Sequence, residues 1–287
     1  MEKITKLIVF LISFLILLLP GLGQSFNPAT HIYIAENVFP ERGYNIDLYF
    51  GSFAPDISMY VAQTEKWPTG YEDTHRDFIN LKPSTRSQAQ KAFNDGWLIH
   101  NGVWGADFYA HGNFPESEEG YVIDRATKLL ESFGPISGNL TEDREFAHDV
   151  VEAAIDLLLK TDYPELGSKL LEATLNRSSE DRTLMLRTFA RNWKNRRTDS
   201  LTLASTELIF RNVVLQYASA LDASNLNDLD PMGELGSSLA LQIYNINIQP
   251  EDVIELIQMA ISLCEQDGHH YKEIITEAIE GIKSHLP

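Results

Sequence analysis

Apolar residues recur at intervals of three and four along most of this chain, and strand-like alternation is scarce. Positions three and four apart share one face of an α-helix, so the pattern predicts amphipathic helices. We therefore expect an all-α protein, a multi-helix bundle with additional C-terminal helices. The predicted helices are 29–39, 86–111, 123–133, 142–160, 166–175, 180–195, 203–222, 236–244, 250–265 and 271–285. Glycine and proline indicate loops at 112–122 and 134–139, and residues 59–74 are irregular.

The N-terminus has a different pattern. Lys3 and Lys6 precede an almost wholly apolar run over residues 7–19, and small residues follow up to Gly23. This arrangement predicts a secretory signal peptide over residues 1–23 and a secreted or extracytoplasmic mature protein. The run is shorter than the roughly 20 apolar residues of a membrane span, which makes an N-terminal membrane anchor the less favoured alternative.

A weak boundary between two regions lies near residues 161–166. Residues 24–165 hold the clustered histidines and carboxylates, whereas 166–287 form amphipathic helices with little recognisable chemistry. We expect the second region to pack on the first. Cys264 is the single cysteine and lies in an apolar helical run, so we expect a buried small hydrophobic residue and no intrachain disulfide.

A formal net charge of −18 limits the classes of partner. A field of this sign repels phosphate backbones and argues against a nucleic-acid binder with a broad footprint. A small phosphorylated substrate stays compatible with it, because bound metal cations reverse the field locally.

Two histidine–carboxylate pairs at helical spacing, Asp107/His111 and His148/Glu152, are the strongest chemical signal. Side chains four residues apart lie on one helix face, where an imidazole and a carboxylate can bind one metal ion. An exposed helix pair is the alternative. The second pair has apolar neighbours that favour burial, and a buried carboxylate needs a partner such as a metal; these neighbours are Val151, Ala154, Ile155 and Leu158.

Further candidates surround the two pairs. His31, Asp56, His75 and His100 all lie in the same half of the chain, and imidazole with carboxylate is the ligand set of hydrolytic zinc sites. Asp156, one turn beyond Glu152, is expected to orient a ligand by hydrogen bonding. The aromatic residues of the irregular segment, Trp67 and Tyr71, would line the rim of a lipid site or pack in the core.

Taken in order, these residues resemble the zinc-dependent phospholipase C family. That family includes the N-terminal domain of glycosylphosphatidylinositol-specific phospholipase D, and single-strand nucleases are its more distant relatives. The resemblance covers about residues 29–156. Its most specific motifs are Gly51-Ser-Phe-Ala-Pro-Asp-Ile57 and His148-Asp-Val-Val-Glu152.

The resemblance implies an all-α fold with two or three zinc ions at one cleft, and a phospholipid or other phosphodiester substrate met at a membrane surface. It implies that Asp56 is also the general base, and that Glu152 favours the phospholipases over the nucleases. The implied ligands are His111, His148 and Glu152 for one zinc, Asp56, His75, His100 and Asp107 for a second, and Asp107 with His31 for a third.

The chain departs from the family pattern in two places. Val103 stands where a histidine is usual, and His100 lies seven residues before Asp107, a rise of roughly 10 Å in a straight helix. A bend at Gly102 or Gly105 would close that gap. A cut after residue 23 would also leave Gln24 at the N-terminus, where the secreted bacterial phospholipases have a zinc-binding tryptophan.

The sequence therefore predicts an exported zinc-dependent phosphodiester hydrolase that resembles phospholipase C. Two alternatives stay open: a single-strand nuclease or phosphatase on the same metal site, and a non-catalytic exported metal-binding protein.

Overall fold

A computed structural model describes residues 27–61, 66–76, 81, 85–112, 120–190, 198–266 and 270–286. This part of the chain is helical and contains no β-strand, which confirms the all-α prediction. The helices are α1 (Pro28–Val38), α2 (Ile46–Phe53), α3 (Gln88–His100), α4 (Ala106–His111), α5 (Tyr121–Phe133), α6 (Leu140–Asp162), α7 (Leu166–Asn176), α8 (Ser179–Met185), α9 (Ser200–Ala223), α10 (Asp230–Tyr244), α11 (Pro250–Cys264) and α12 (Tyr271–His285).

Shorter helical turns complete the fold. Ala54–Tyr60 and Pro40–Arg42 form 3₁₀ turns, and Glu72–Arg76 and Leu186–Ala190 form π turns. Helix α2 was missed by the sequence pattern, which also placed one helix where α3 and α4 are separate. The proposed signal peptide, most of the predicted loop 112–122 and the end of the predicted helix 180–195 lie outside the described residues. Among the helices in the described ranges, none is both long and apolar enough to cross a bilayer.

Helix α6 is the central helix of the bundle. Its residues from Phe146 to Leu159 are buried on nearly every side, as expected for a helix surrounded by others. Helices α5 and α11 make its most extensive packing contacts. Because α6 carries both His148 and Glu152, these two side chains lie in the interior of the protein.

The helices before and after residue 165 share one hydrophobic core. Phe50 of α2 and Phe210 of α9, for example, lie with their ring centroids 6.3 Å apart. Cys264 is fully buried at the end of α11, as predicted, and burial raises the pKa of its thiol to about 12.

Two glycines allow α2 and α3 to cross in close contact. A Cβ atom on Gly51 would overlap the carbonyl oxygen of Phe93, and one on Gly96 would overlap that of Leu48. Since neither helix could approach so closely with larger residues, the two glycines fix the position of α2 relative to α3. The C-terminus of α3, with His100, thereby lies beside the turn that carries Asp56.

We expect Gly96→Ala to destabilise the protein by about 2 kcal/mol or more, because the added methyl group must push α2 away from α3. The free energy of unfolding in urea measures this loss. The exposed Lys91→Ala change on the same helix is the control and should stay within about 0.5 kcal/mol of the parent protein. Equal stability of the two variants would contradict a tight crossing.

Candidate metal centre

His111, His148 and Glu152 form a group that could hold a metal ion, and we call it the Glu152 group. Helix α4 supplies His111, and α6 supplies the other two from successive turns. The two Nε2 atoms are 2.8 Å apart, and Glu152 Oε1 lies 3.2 Å from His148 Nε2 and 3.5 Å from His111 Nε2. Donor atoms around a tetrahedral zinc ion are separated by about 3.3 Å, so these distances suit a small cation.

Asp107 orients His111. Its Oδ1 atom lies 2.9 Å from His111 Nδ1, which turns Nε2 of the same ring towards His148 and Glu152. Such carboxylate–histidine contacts support metal ligands in many proteins. Gly102 permits this arrangement, because a Cβ there would lie 2.6 Å from Asp107 Oδ2. Burial favours the neutral carboxyl, but His111 with His75 and His100 keeps the pKa of Asp107 below its ordinary value.

Two buried polar atoms of the Glu152 group have no hydrogen-bond partner among the described residues. Within the described residues, no hydrogen bond with good geometry reaches Glu152 Oε1 or His148 Nδ1. Burial raises the pKa of Glu152 well above its usual range, and the negative charges of Asp149 and Asp56 add to the rise, while His148 opposes it. A bound cation would supply the missing partner of the Glu152 carboxylate.

His31, Asp56 and His100 form a second group that could hold a metal ion, the Asp56 group. Asp56 Oδ1 lies 3.3 Å from His100 Nε2, and the ring of His31 stacks on that of His100 with centroids 4.4 Å apart. His75 borders the group, because its Nε2 atom is 3.2 Å from both Asp56 Oδ1 and His100 Nε2.

Backbone and hydroxyl oxygens orient two of these imidazoles. His100 Nδ1 donates to the carbonyl oxygen of Ser52 at 2.8 Å. Thr74 Oγ1 donates to the carbonyl of Gly70 and so accepts from His75 Nδ1, at 2.7 Å. With Nδ1 of each ring engaged in this way, Nε2 of both rings faces Asp56 and the other imidazole, where a cation could bind between them.

The charges of the Asp56 group shift the pKa values of its members in different directions: burial lowers the pKa of His100, but Asp56 and Asp107 outweigh it and raise that pKa. Burial alone would raise the pKa of Asp56, but His100 and His75 hold it well below its ordinary value, so the carboxylate is ionised. Burial and the neighbouring His100 lower the pKa of His31, which keeps that imidazole neutral. An ionised carboxylate and a neutral imidazole are the protonation states in which these residues bind metals.

The chain bends between α3 and α4. This is the bend that was expected near Gly102 or Gly105. Asn101 Oδ1 accepts from the backbone N–H groups of Val103 and Trp104, which ends α3 and starts a tight turn. The straight-helix separation of His100 and Asp107 therefore does not apply. Val103 stands where the zinc-dependent phospholipases C usually have a histidine. It is 49% exposed and faces solvent.

Asp107 is thus the link between the two groups. It contacts His111 in the Glu152 group, and its negative charge acts on two histidines of the Asp56 group. There it adds to the effect of Asp56, which raises the pKa of His100, and it opposes the lowering of the pKa of His31 by burial. Its observed contact is that of a hydrogen-bond partner of His111, and its assignment as a zinc ligand stays a prediction.

Asp156 supports the site through the backbone of α1. It accepts from the N–H and hydroxyl groups of Thr30 at 2.7 and 2.6 Å, from the N–H of Ala29 at 3.3 Å and from the hydroxyl of Tyr217 at 2.9 Å. Burial raises its pKa to about 6 despite these donors. The carboxylate caps the N-terminus of α1 and so fixes the backbone that carries His31.

Of the two alternatives for Trp67, the structure shows the packing one. Trp67 is 3% exposed, packs against Phe189 with centroids 5.2 Å apart and donates to Asp73 Oδ2 at 3.0 Å. Tyr71 is partly exposed and stacks on the ring of His75, with centroids 4.4 Å apart. Tyr71 therefore borders the Asp56 group, whereas Trp67 belongs to the core.

Sequence reasoning also missed three residues near the groups. Tyr60 follows Asp56 by four residues, and the charges of Asp56, Asp149 and Glu152 all raise its pKa after burial has done so. Asp149 Oδ1 lies 3.6 Å from His148 Nδ1, and its Oδ2 accepts from the hydroxyl of Tyr244 at 2.6 Å. Tyr60 and Asp149 could have been found from their helical spacing to Asp56 and Glu152. Tyr244 is distant in the sequence, and only the fold brings it to Asp149.

Comparison of the chain with protein-family models, with curated proteins and with solved structures found no match. The resemblance to the zinc-dependent phospholipase C family therefore stays a prediction. The structure itself shows two neighbouring groups, each of which could hold a metal ion.

We expect the protein to bind one zinc ion at each group. After equilibrium dialysis against zinc, mass spectrometry should find about two ions per chain, and His148→Ala or His100→Ala should each remove about one. The exposed His285→Ala change is the control and should leave both ions bound. Full zinc content in His148→Ala would contradict the Glu152 group.

We expect Asp156→Ala to lower the free energy of unfolding by about 3–5 kcal/mol, because it leaves buried donors of α1 and Tyr217 without an acceptor. Urea unfolding measures the loss. Asp162→Ala, a change on the same helix at a residue with a 46% exposed side chain, is the matched control and should cost less than about 1 kcal/mol. A similar loss in both would show that Asp156 does not hold α1.

Proposed function

We propose that this protein is an exported zinc-dependent phosphodiester hydrolase that acts on phospholipids in the manner of a phospholipase C. The observation that supports this most is the pair of neighbouring buried imidazole–carboxylate groups linked by Asp107. Imidazole with carboxylate suits zinc better than magnesium or calcium, which prefer oxygen ligands. The export signal proposed for residues 1–23 is part of the same proposal.

The residues present fit two zinc ions. His31, Asp56, His75 and His100 would hold one, and His111, His148 and Glu152 the other. Zinc bound in this way lowers the pKa of a bound water and stabilises negative charge on phosphate oxygens.

The chain's own groups would position the substrate and move the proton. Asp56 is the proposed proton acceptor, because its carboxylate lies in the Asp56 group in contact with the imidazoles of His75 and His100. Tyr60 is held as a neutral hydroxyl, since burial and three nearby carboxylates raise its pKa. It can therefore donate a hydrogen bond to a phosphate oxygen at the side facing Glu152.

A lipid substrate suits the rest of the molecule better than a nucleic acid. The net charge of −18 opposes the approach of a polyanion, whereas a single phosphodiester meets the local field of the metal ions. The nuclease and phosphatase alternatives use the same metal site, so they are distinguished by substrate.

We expect the zinc-loaded protein to hydrolyse phosphatidylcholine and a p-nitrophenyl phosphodiester, with release of phosphocholine from the lipid. Asp56→Asn should lower kcat/KM by about 10²–10⁴-fold, because it removes the proton acceptor and weakens a candidate zinc ligand. His285→Ala should retain the activity of the parent protein. Product analysis by chromatography and the absorbance of p-nitrophenolate measure these rates.

The same assay decides between the proposals. Faster turnover of single-stranded DNA or of p-nitrophenyl phosphate would identify a nuclease or a phosphatase. A protein that binds two zinc ions and hydrolyses none of these substrates would be a non-catalytic metal-binding protein, and the proposed activity would be wrong.

A further inference from the structure

An apolar cavity adjoins the Glu152 group. It has a volume of about 110 Å³ and lies between α6, α9, α10 and α11, beside the start of α1. Most of its wall is aliphatic, including Val150, Val214, Leu235, Leu239, Ile243 and Val253.

Part of the cavity lining is polar and is shared with the candidate metal centre. Its polar residues are Asn27, Tyr60, Asp149, Glu152 and Tyr217, and Glu152 is itself a member of the Glu152 group. A molecule that enters the cavity therefore meets a candidate metal ligand as well as aliphatic side chains.

The wall formed by α10 is open to solvent. Leu235, Leu239 and Ile243 succeed one another at four-residue intervals on one face of the helix, and all three are partly exposed. Because an aliphatic wall offers no hydrogen bonds, a polar ligand would lose its hydration there without compensation. Apolar cavities of about 150 Å³ do bind small apolar molecules, so the volume suits a few methylene groups.

We propose that this cavity binds the proximal part of one alkyl or acyl chain of the molecule whose phosphate meets the Glu152 group. The proposal rests on the proposed function and adds a chain-binding subsite to it. It also gives the helices after residue 165 a function, since α9, α10 and α11 supply most of the aliphatic wall.

The test is the binding of methyl-, ethyl-, n-butyl- and n-hexylphosphonate to the zinc-loaded protein, measured by calorimetry at concentrations below micelle formation. These probes share one head group, and their carbon–phosphorus bond is not a phosphodiester. Each added methylene should lower Kd about three- to four-fold until the cavity is full. A Kd that does not change with chain length would overturn the proposal.

Two tryptophan variants of α10 test whether the dependence of Kd on chain length arises in the cavity. Leu239→Trp fills the cavity and should abolish the dependence of Kd on chain length. Leu241→Trp places the same side chain two residues away, at a position that is 52% exposed, and should retain the dependence. Retention in both variants would show that the chain binds elsewhere.

A third variant guards against misfolding. Leu239→Ala enlarges the cavity, so Kd should continue to fall over a longer range of chain lengths than in the parent protein. An unchanged range would contradict a chain-binding role for the cavity. Circular dichroism of each variant shows whether its helices remain folded.

Failure of this inference is distinguishable from failure of the proposed function. Hydrolysis of a p-nitrophenyl phosphodiester with no chain-length effect on phosphonate binding would leave the enzyme without this subsite. A chain-length effect with no hydrolysis would leave the subsite in a protein that binds lipid without cleaving it.

Discussion

Burial of several ionisable side chains at one place is the constraint on which the rest of this structure depends. Glu152, Asp107, His31, His75 and His100 are all buried, and a charge taken out of water is costly unless it is paired. The protein pairs some of these groups with one another, as Asp107 with His111. It leaves others, such as Glu152 Oε1, without a good hydrogen bond in the described structure, and there a cation would complete the pairing.

Contacts with the surrounding helices fix the positions of these buried side chains. Gly51 and Gly96 bring α2 and α3 together, which places the Ser52 carbonyl where it orients His100. Asp156 caps α1 behind His31. The break between α3 and α4 brings Asp107 towards the histidines of the Asp56 group while it also contacts His111. The glycine crossing, the Asp156 cap and the bend before Asp107 each fix an imidazole or a carboxylate through the backbone, without a ligand.

Features that depend on residues close together in the sequence could be predicted, whereas those that depend on distant residues could not. The pair His148/Glu152 lies within one helix, so periodicity and apolar neighbours were enough to predict that both side chains are buried together. The bend before Asp107 could be expected because its glycines lie in the same segment. The choice between rim and core for Trp67 could not be made from the sequence, because its burial depends on Phe189, more than a hundred residues further along the chain.

The same reasoning explains why the second half of the chain showed no recognisable chemistry. Its contribution is made through tertiary contacts that leave no local pattern: Tyr217 donates to Asp156, and Tyr244 donates to Asp149. Both carboxylates belong to α6, on either side of Glu152 in the sequence. Burial keeps the two tyrosine hydroxyls protonated, since it raises the pKa of each well above its ordinary value.

Helix α6 is therefore held from two sides. The first half of the chain contributes His111 to the group that α6 completes, and the second half contributes the hydroxyl donors and the aliphatic wall beside it. A first half without α9, α10 and α11 would expose the apolar residues of α6 and leave Asp149 and Asp156 without their tyrosine donors. The two halves share one core around α6, because α5 from the first half and α9, α10 and α11 from the second all pack on or beside this helix.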